Sequence, residues 1–399
     1  MSRYLLCSFA LVLLYPTAID LYLVGLPQIG ADLNATESQL HFAFSIYLTG
    51  MATTMLIAGK LSDSIGRKPV AITGAIIFTV ASILGGMAEQ SSTFLMARFI
   101  QGVGAGTCYV VAFAIIRDVL DDTRRAKVLS MINGITCVIP VIAPVIGYMI
   151  MLKYPWPSLF LTMAIMGGAV CILSSLILKE TNLKTSTSVN ENLTFLPSAT
   201  ESFAERFFIS RIMITSLGMT TILTYVNVSP MLVMNDMGFD RSQYSTIMAV
   251  TALISMIASF AAPLALSIFK ERSILLASQS LFALAATVMT ITLLADLNHH
   301  WYLLGFGFIC SGFAIGFGVS MSQALSPYAV RAGVASSLLG ITQVSCSAFY
   351  IWIMGLLGVN ALNMLVIILV LGSVTSIALI LLVPKSSQSQ NHEKITVPS

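Results

Sequence analysis

Long apolar runs dominate this sequence of 399 residues. Twelve of them, each about 20 residues long, follow one another between polar or Pro- and Gly-containing boundaries. A helix of that length rises about 30 Å and crosses the hydrocarbon core of a bilayer. In lipid the backbone has to satisfy its own hydrogen bonds, which favours helices over short alternating barrel strands. The runs therefore predict an all-α integral membrane protein.

Composition excludes an ordinary soluble protein, because 57% of the residues are hydrophobic and 9% are charged, against about 25% charged residues in globular domains. The first six predicted spans lie near residues 4–26, 41–60, 69–88, 94–116, 126–151 and 157–178. The second six lie near residues 208–233, 243–268, 273–295, 301–322, 333–356 and 360–383. The chain is thus predicted to contain two six-helix halves, 1–178 and 208–383, joined by a Ser-, Thr- and Asn-rich linker, 179–207, and followed by a tail, 384–399.

Basic residues assign an orientation. With the N-terminus in the cytoplasm, 17 of the 20 Lys and Arg residues fall on the cytoplasmic side, two fall outside and Arg98 falls within a span. This asymmetry predicts that both termini are cytoplasmic.

The two halves resemble each other in sequence. Residues 125–136 align with residues 331–342 at seven of twelve positions without a gap, and the two segments open spans five and eleven. Parallel repeats of this kind are typical of transporters, whose sites lie between the repeats near the middle of the membrane. We therefore expect two six-helix parallel repeats.

Asp20 in span one and Arg98 in span four are the only formally charged residues that we place in the hydrocarbon. A carboxylate in such a run costs about 2.5 to 3.5 kcal/mol on insertion scales, so a functional role is the default hypothesis. Counted from the span ends, Asp20 and Arg98 lie at matching depth. The alternative is that Asp20 is hydrated near the interface or caps a kink at Pro16.

The loop after span two reads GKLSDSIGRKPV over residues 59–70. Gly66 permits a tight turn, and Asp63 and Arg67 place opposite charges at helix ends. This loop resembles the signature loop of the major facilitator superfamily. The resemblance implies a cytoplasmic latch formed by Gly59, Asp63, Gly66, Arg67 and Lys68.

Spans four and five are similar to two further motifs of that family. Arg98, Gln101 and Gly102 match its R-x-x-Q-G motif, whose arginine is associated with proton coupling. Glycines 102, 104 and 106 predict close helix packing. Span five carries Gly134, Pro140, Pro144 and Gly147; its prolines predict a bend, and the pattern resembles the antiporter motif of drug exporters.

The segment IDLYLVGLP, residues 19–27, and the entry to span eleven resemble the Bcr/CflA branch of proton-driven drug exporters. The resemblance covers nearly the whole chain. It implies a proton-coupled antiporter that exports hydrophobic drugs, amphenicols such as chloramphenicol among them, across the bacterial inner membrane. In such a cycle Asp20 would be protonated from outside and deprotonated inside, and Arg98 would tune its charge.

Other polar residues within spans are candidate contacts for a drug cavity, although hydrogen bonding between helices explains them equally well. They are Tyr22, Gln101, Tyr109, Asn133, Tyr225, Asn227 and Gln343. The six cysteines form no metal-ligand spacing, and His299–His300 is expected to be a solvated pair. We expect no metal, cofactor, nucleic acid or obligate protein partner.

Two alternatives differ in direction or class. A nutrient-importing symporter would share the fold, and accumulation of a sugar or amino acid in right-side-out vesicles would favour it. A membrane sensor would normally carry a soluble output domain, and only 16 residues follow Val383. No nucleophile and base pattern indicates an enzyme.

Overall fold

The computed structural model describes residues 2–120, 122–181, 203, 205–328 and 332–383, without the side chains of 2, 56, 122–127, 129–137 and 332–334. All regular structure in these residues is helical, which confirms the predicted all-α membrane class. Most of the predicted linker and the whole tail 384–399 lie outside the described residues.

Seven α-helices precede the linker in the described part of the chain. They are α1 Ser2–Asp20, α2 Leu26–Asp32, α3 Glu37–Ile65, α4 Arg67–Gly86, α5 Ser91–Val119, α6 Asp122–Met151 and α7 Pro157–Ile177. Among the described residues after the linker there are six α-helices. They are α8 Arg206–Pro230, α9 Arg241–Ile268, α10 Glu271–Leu294, α11 Tyr302–Leu325, α12 Ala332–Leu356 and α13 Ala361–Leu382.

Each predicted span overlaps a helix of the structure. Ten helical stretches are long and apolar enough to cross a membrane, and bent α3 makes eleven, counting only the described residues. In α6 the apolar part, Val138–Met151, is shorter. The twelve-span arrangement therefore agrees with the described helices.

The first span is broken and not straight. Pro16 lies inside α1 without ending it, and α1 stops at Asp20. A 3-10 turn, Leu23–Gly25, then leads into α2, where Pro27 occupies the first turn, a position that needs no backbone N–H donor. Asp20 therefore lies at the end of a regular α-helix, inside a stretch that forms one candidate span from Arg3 to Asp32.

Local sequence also explains where α3 begins. Thr36 Oγ1 accepts a hydrogen bond from Gln39 N at 3.3 Å, and Gln39 Oε1 accepts one from Thr36 N at 3.0 Å. This reciprocal capping satisfies two donors that the first turn leaves unpaired. It fixes the helix start that carries Glu37.

Helix α5 is the centre of the first half and packs against α1, α3 and α4. A side chain at Gly102 or Gly106 would collide with the backbone of α3, and one at Gly104 with the backbone of α4. These three glycines therefore allow the close helix packing that their sequence pattern predicts.

The chain separates into two compact units. The first contains α1 to α7 together with Val226–Leu253 and Ala348–Leu362. The second contains α8 up to Tyr225, Ile254–Ser347 and α13 from Asn363. Parts of α8, α9, α12 and α13 thus belong to the first unit, and the division into two six-helix halves stays a prediction.

The second unit has its own apolar core. One cluster is formed by Phe208, Ile212, Ala324, Tyr328, Ala335 and Leu339. Phe203 stacks on Tyr328 with ring centroids 4.9 Å apart. Burial of aromatic rings in such arrangements stabilises the packing beyond the area removed from lipid or water.

Candidate functional site

A fully buried arginine, Arg98 on α5, is the polar centre of the first unit. Its Nη1 donates to the carbonyl oxygen of Ala18 at 3.0 Å, and its Nε donates to that of Ala43 at 3.3 Å. Its guanidinium lies 4.3 Å from the ring centroid of Tyr22 and 4.4 Å from that of Tyr47. Arg98 therefore joins α5 to α1 and α3 through neutral partners.

Gln101 extends this network to two more helices. Its Oε1 accepts from Arg98 Nη1 at 2.5 Å. Its Nε2 donates to Ser82 Oγ at 2.8 Å and contacts Met163 Sδ at 3.6 Å. Because Ser82 lies on α4 and Met163 on α7, the Arg98–Gln101 pair links α1, α3, α4, α5 and α7.

Asp20 lies beside this network, two residues beyond the carbonyl that Arg98 holds. Its residue exposure is 3%, and it is within electrostatic range of Tyr22, Tyr47 and Tyr244. No ion pair within 4.0 Å joins it to Arg98 in the part of the chain described here. Arg98 instead donates its hydrogen bonds to Ala18, Ala43 and Gln101.

Two donors of this network make no hydrogen bond within 3.5 Å. Among the described residues, they are Arg98 Nη2 and the Tyr22 hydroxyl, and both are buried. The Arg98 guanidinium lies over the Tyr22 ring. A buried polar group of this kind costs free energy unless a partner reaches it.

The residues of the sequence-predicted latch meet at the turn between α3 and α4. Arg67 Nη1 lies 2.6 Å from Asp63 Oδ1 and donates to Ser62 Oγ at 2.8 Å. Its Nε donates to Asp118 Oδ2 at 2.8 Å. Arg67 is thus held by two carboxylates, one from its own loop and one from the end of α5.

A second carboxylate outside the motif, Glu180, holds the start of α4. Its oxygens accept from the backbone N–H groups of Arg67 at 2.8 Å and Lys68 at 3.1 Å. An anion at this position satisfies unpaired donors and complements the helix dipole. Gly66 has a φ of 105° and faces the Glu180 carboxylate, where an added side chain would collide. The positive φ together with the close approach of Glu180 explains why residue 66 is a glycine better than the turn alone does.

Asp118 and Glu180 were missed by the reading of the sequence. Both follow the cytoplasmic end of a predicted span, and each stands next to a basic residue, Arg117 and Lys179. An acidic residue in a loop whose charge is mainly positive is the signal that could have found them. Lys68 also contributes, since its Nζ donates to the carbonyl of Ser175 at 2.8 Å. Gly59 has only ordinary packing around it, with Val110 nearest.

Span five forms α6, which contains Pro140 and Pro144. A side chain at Gly147 would come within 2.8 Å of the carbonyl oxygen of Leu21, next to Asp20. The carbonyl of Pro144 accepts from Ser245 Oγ of α9 at 3.1 Å. Asn133 and Gly134 lie in the stretch of α6 for which the structure describes the backbone alone. The end of α6 therefore packs against the chain segment that carries Asp20.

The candidate cavity residues belong to both compact units. In the first unit, Tyr22 and Gln101 belong to the Arg98 network. Tyr109 packs edge to face on Tyr15, with ring centroids 5.7 Å apart. In the second unit, Tyr225 packs on Phe306 at 5.0 Å, and Gln343 Nε2 is buried with no hydrogen-bond partner among the described residues.

The seventh candidate, Asn227, contacts a residue that the sequence did not single out. Its Nδ2 lies 2.8 Å from Nδ1 of His41, a fully buried histidine on α3. His41 Nε2 lies 3.6 Å from Glu37 Oε1, which also accepts from the backbone N–H of Ala361 at 3.1 Å. Of the four histidines in the chain, His41 is the only one within a predicted span, which is the signal that could have found it.

The family pattern of the Major Facilitator Superfamily matches residues 8–354. This chain belongs to that superfamily. A protein of Vibrio parahaemolyticus called "Multidrug resistance protein MdtL" is 67% identical over 395 residues, covering 99% of both chains. Proteins of the same name from Shewanella oneidensis and Klebsiella pneumoniae are 62% and 56% identical over at least 99% of each chain.

Solved structures agree on the fold. The crystal structure of a D-xylose-proton symporter matches with a TM-score of 0.80 at 14% identity, covering 96% of this chain and 98% of that one. The inward open conformation of the xylose transporter XylE from E. coli matches with a TM-score of 0.77 at 13% identity, covering 98% of both chains. The chain is therefore a multi-span membrane protein with the architecture of a transporter superfamily.

Proposed function

We propose that this protein is a proton-coupled antiporter that exports hydrophobic drugs across the bacterial inner membrane. The observation that carries the proposal is Asp20, a buried carboxyl two residues from the carbonyl that Arg98 holds, with no cation paired to it among the described residues. Relatives that match almost the entire chain are named for multidrug resistance, which supports a drug as the substrate.

The chemistry follows from what Asp20 can and cannot do. A carboxylate whose counter-ion is fixed at bonding distance stays ionised, whereas a buried carboxyl without one can take up a proton. Arg98 is held by carbonyl oxygens and by Gln101, one of them the carbonyl of Ala18 two residues before Asp20, and it forms no ion pair with Asp20 among the described residues. Asp20 is therefore the group that takes up a proton from the periplasm and releases it to the cytoplasm.

Drug and proton compete in this scheme. The unpaired Arg98 Nη2 and Tyr22 hydroxyl offer two donors to a polar group of the drug. Amphenicols such as chloramphenicol combine an aromatic ring with polar groups, and Tyr22 and Tyr47 provide aromatic faces beside the arginine. Binding of the drug next to Asp20 then favours loss of the proton from its carboxyl.

The remaining predicted residues have supporting roles. Asp63, Arg67 and Lys68 form a latch, reinforced by Asp118 and Glu180, that holds the predicted cytoplasmic ends of α3, α4, α5 and α7 together. Gly134, Pro140, Pro144 and Gly147 shape the helix that packs against the Asp20 segment. Both termini lie in the cytoplasm, and the two six-helix halves move as parallel repeats about a central cavity.

Transport by the full-length protein in inverted membrane vesicles tests the proposal. An inward-acid pH gradient should drive accumulation of labelled chloramphenicol well above that of vesicles lacking the protein. Collapse of the gradient with an ionophore should abolish the difference. Accumulation of a nutrient in right-side-out vesicles, with no drug transport, would identify an importer and contradict export.

A further inference from the structure

We propose that Glu37, His41, Asn227 and the backbone N–H of Ala361 form a periplasmic lock that opens when His41 is protonated. It rests on the proposed function, since a lock matters only to a protein that opens and closes. All four residues belong to the first compact unit. They lie near helix ends that the charge pattern places on the periplasmic side.

Two contacts make the lock. Asn227 on α8 meets His41 on α3 at 2.8 Å, and Glu37 on α3 accepts from the N–H of Ala361, the first residue of α13, at 3.1 Å. The imidazole is fully buried. The lock therefore joins one helix of the predicted first half to two helices of the predicted second half.

The geometry fixes which form of the ring closes the lock. Because the amide nitrogen of Asn227 is a donor, the Nδ1 atom facing it has to be an acceptor, so the proton is on Nε2. That Nε2–H points to Glu37 Oε1, 3.6 Å away. The closed lock therefore contains neutral His41.

Protonation weakens both contacts between helices. A proton on Nδ1 would face the donor hydrogens of Asn227, and the contact between α3 and α8 is lost. The imidazolium would also attract Glu37 Oε1, the same oxygen that accepts from Ala361. The Glu37–His41 attraction grows, but both residues lie on α3 and that gain does not hold two helices together.

The electrostatic surroundings of the ring are simple. From its own helix it faces Glu37, from α8 the uncharged Asn227, and from the end of α12 it approaches Gly355. Glu37 is the only acidic group within 4.0 Å of its nitrogens among the described residues. Imidazole is also the side chain whose charge ordinarily changes between about pH 5 and pH 8.

The lock is connected to the proposed coupling site through α3. Arg98 donates to the carbonyl of Ala43, two residues from His41. A shift of Arg98 when Asp20 changes protonation would move the same turn of α3. Periplasmic acid thus acts at two linked places: it opens the lock and it supplies the proton for Asp20.

Hydrogen–deuterium exchange of the full-length protein in lipid nanodiscs tests the lock without requiring transport. Peptides that cover residues 227–240 and 355–361 are compared at about pH 5.5 and about pH 7.5, on either side of the ordinary imidazole titration, after correction for intrinsic exchange. Loss of one hydrogen bond predicts that protection at the lower pH falls about threefold to tenfold.

Three variants separate titration from structure. His41→Asn places an amide oxygen where Nδ1 was, so it should keep the lock and lose its pH dependence. Asn227→Asp offers an acceptor to imidazolium, so protection should rise at the lower pH. Ser38→Ala removes a neighbouring contact to the carbonyl of Gly355 and should lower protection equally at both pH values.

Unchanged protection in the native protein would mean that Asn227 turns its amide oxygen to the charged ring, and it would overturn the lock. So would a pH response that survives in His41→Asn. Failure of drug transport with an intact pH response of the lock would instead count against the proposed function alone.

Discussion

Two buried arginines in the first unit have opposite partners. Arg98 is held by two carbonyl oxygens, a glutamine and two aromatic rings, whereas Arg67 is held by the carboxylates of Asp63 and Asp118. Paired charges stabilise one arrangement, because separating them leaves a buried ion without a counter-ion. Because Arg98 has neutral partners, we propose that it leaves the Asp20 carboxyl free to change its charge. On this comparison we propose a role in coupling for Arg98 and a role in conformational control for Arg67.

The largest expected effect comes from Arg98→Lys. The ammonium keeps the charge, but it cannot reach both carbonyls and Gln101 while lying on two rings. Loss of one or two charge-assisted hydrogen bonds predicts a destabilisation of about 3 kcal/mol. We expect drug transport to be lost and the Tm in detergent to fall clearly, as measured by scanning fluorimetry.

Arg67→Lys is the matched control for that substitution. It should retain measurable transport, since an ammonium can still pair with Asp63 and Asp118. Equal losses in the two variants would show that the two arginines do not differ in role.

An intermediate effect is expected at the carboxylates of the latch. The Asp118 side chain is 17% exposed and that of Asp63 is 59% exposed, so water screens Asp63 more. Asp118→Asn should therefore lower the free energy of unfolding by about 1 kcal/mol more than Asp63→Asn does. Its Tm should accordingly be the lower of the two. Scanning fluorimetry of both variants at low salt gives the order, and the reverse order would contradict the assignment of Asp118 as the stronger partner.

A smaller effect is expected from Glu180→Gln. The amide retains an acceptor oxygen for the backbone N–H groups of Arg67 and Lys68 but loses the charge that complements the helix dipole. This predicts a loss of about 0.5 kcal/mol. Because salt screens such an interaction, the difference in Tm between the variant and the native protein should shrink at high salt. A difference independent of salt would point to packing instead.

Much of the fold could be predicted from the sequence because bilayer thickness dictates the length of an apolar run. The break in the helix after Asp20 could not be predicted in this way. Pro16 is the stronger local signal for a break, but α1 continues through it because of packing and ends at Asp20. Among site residues, Asp63 and Arg67 were predictable because they are four residues apart across one turn.

Long-range partners were not predictable in the same way. Asp118 and Glu180 reach Arg67 from 51 and 113 residues away, and Asn227 reaches His41 from 186 residues away. A sequence pattern shows no such pairing until the helices are packed. The matching depth of Asp20 and Arg98 rested on counting residues from the span ends, which could not show that Arg98 donates to the carbonyl of Ala18, two residues before Asp20.

Proton release on drug binding tests the central claim most directly. Chloramphenicol is added to the detergent-solubilised, full-length protein in unbuffered solution with a pH-sensitive dye, and Asp20→Asn is compared with Asp296→Asn. Asp296 is an exposed carboxylate at a positive φ of 48° that asparagine also tolerates. The native protein and Asp296→Asn should release protons when the drug binds, and Asp20→Asn should release none. Equal release from Asp20→Asn would contradict the account.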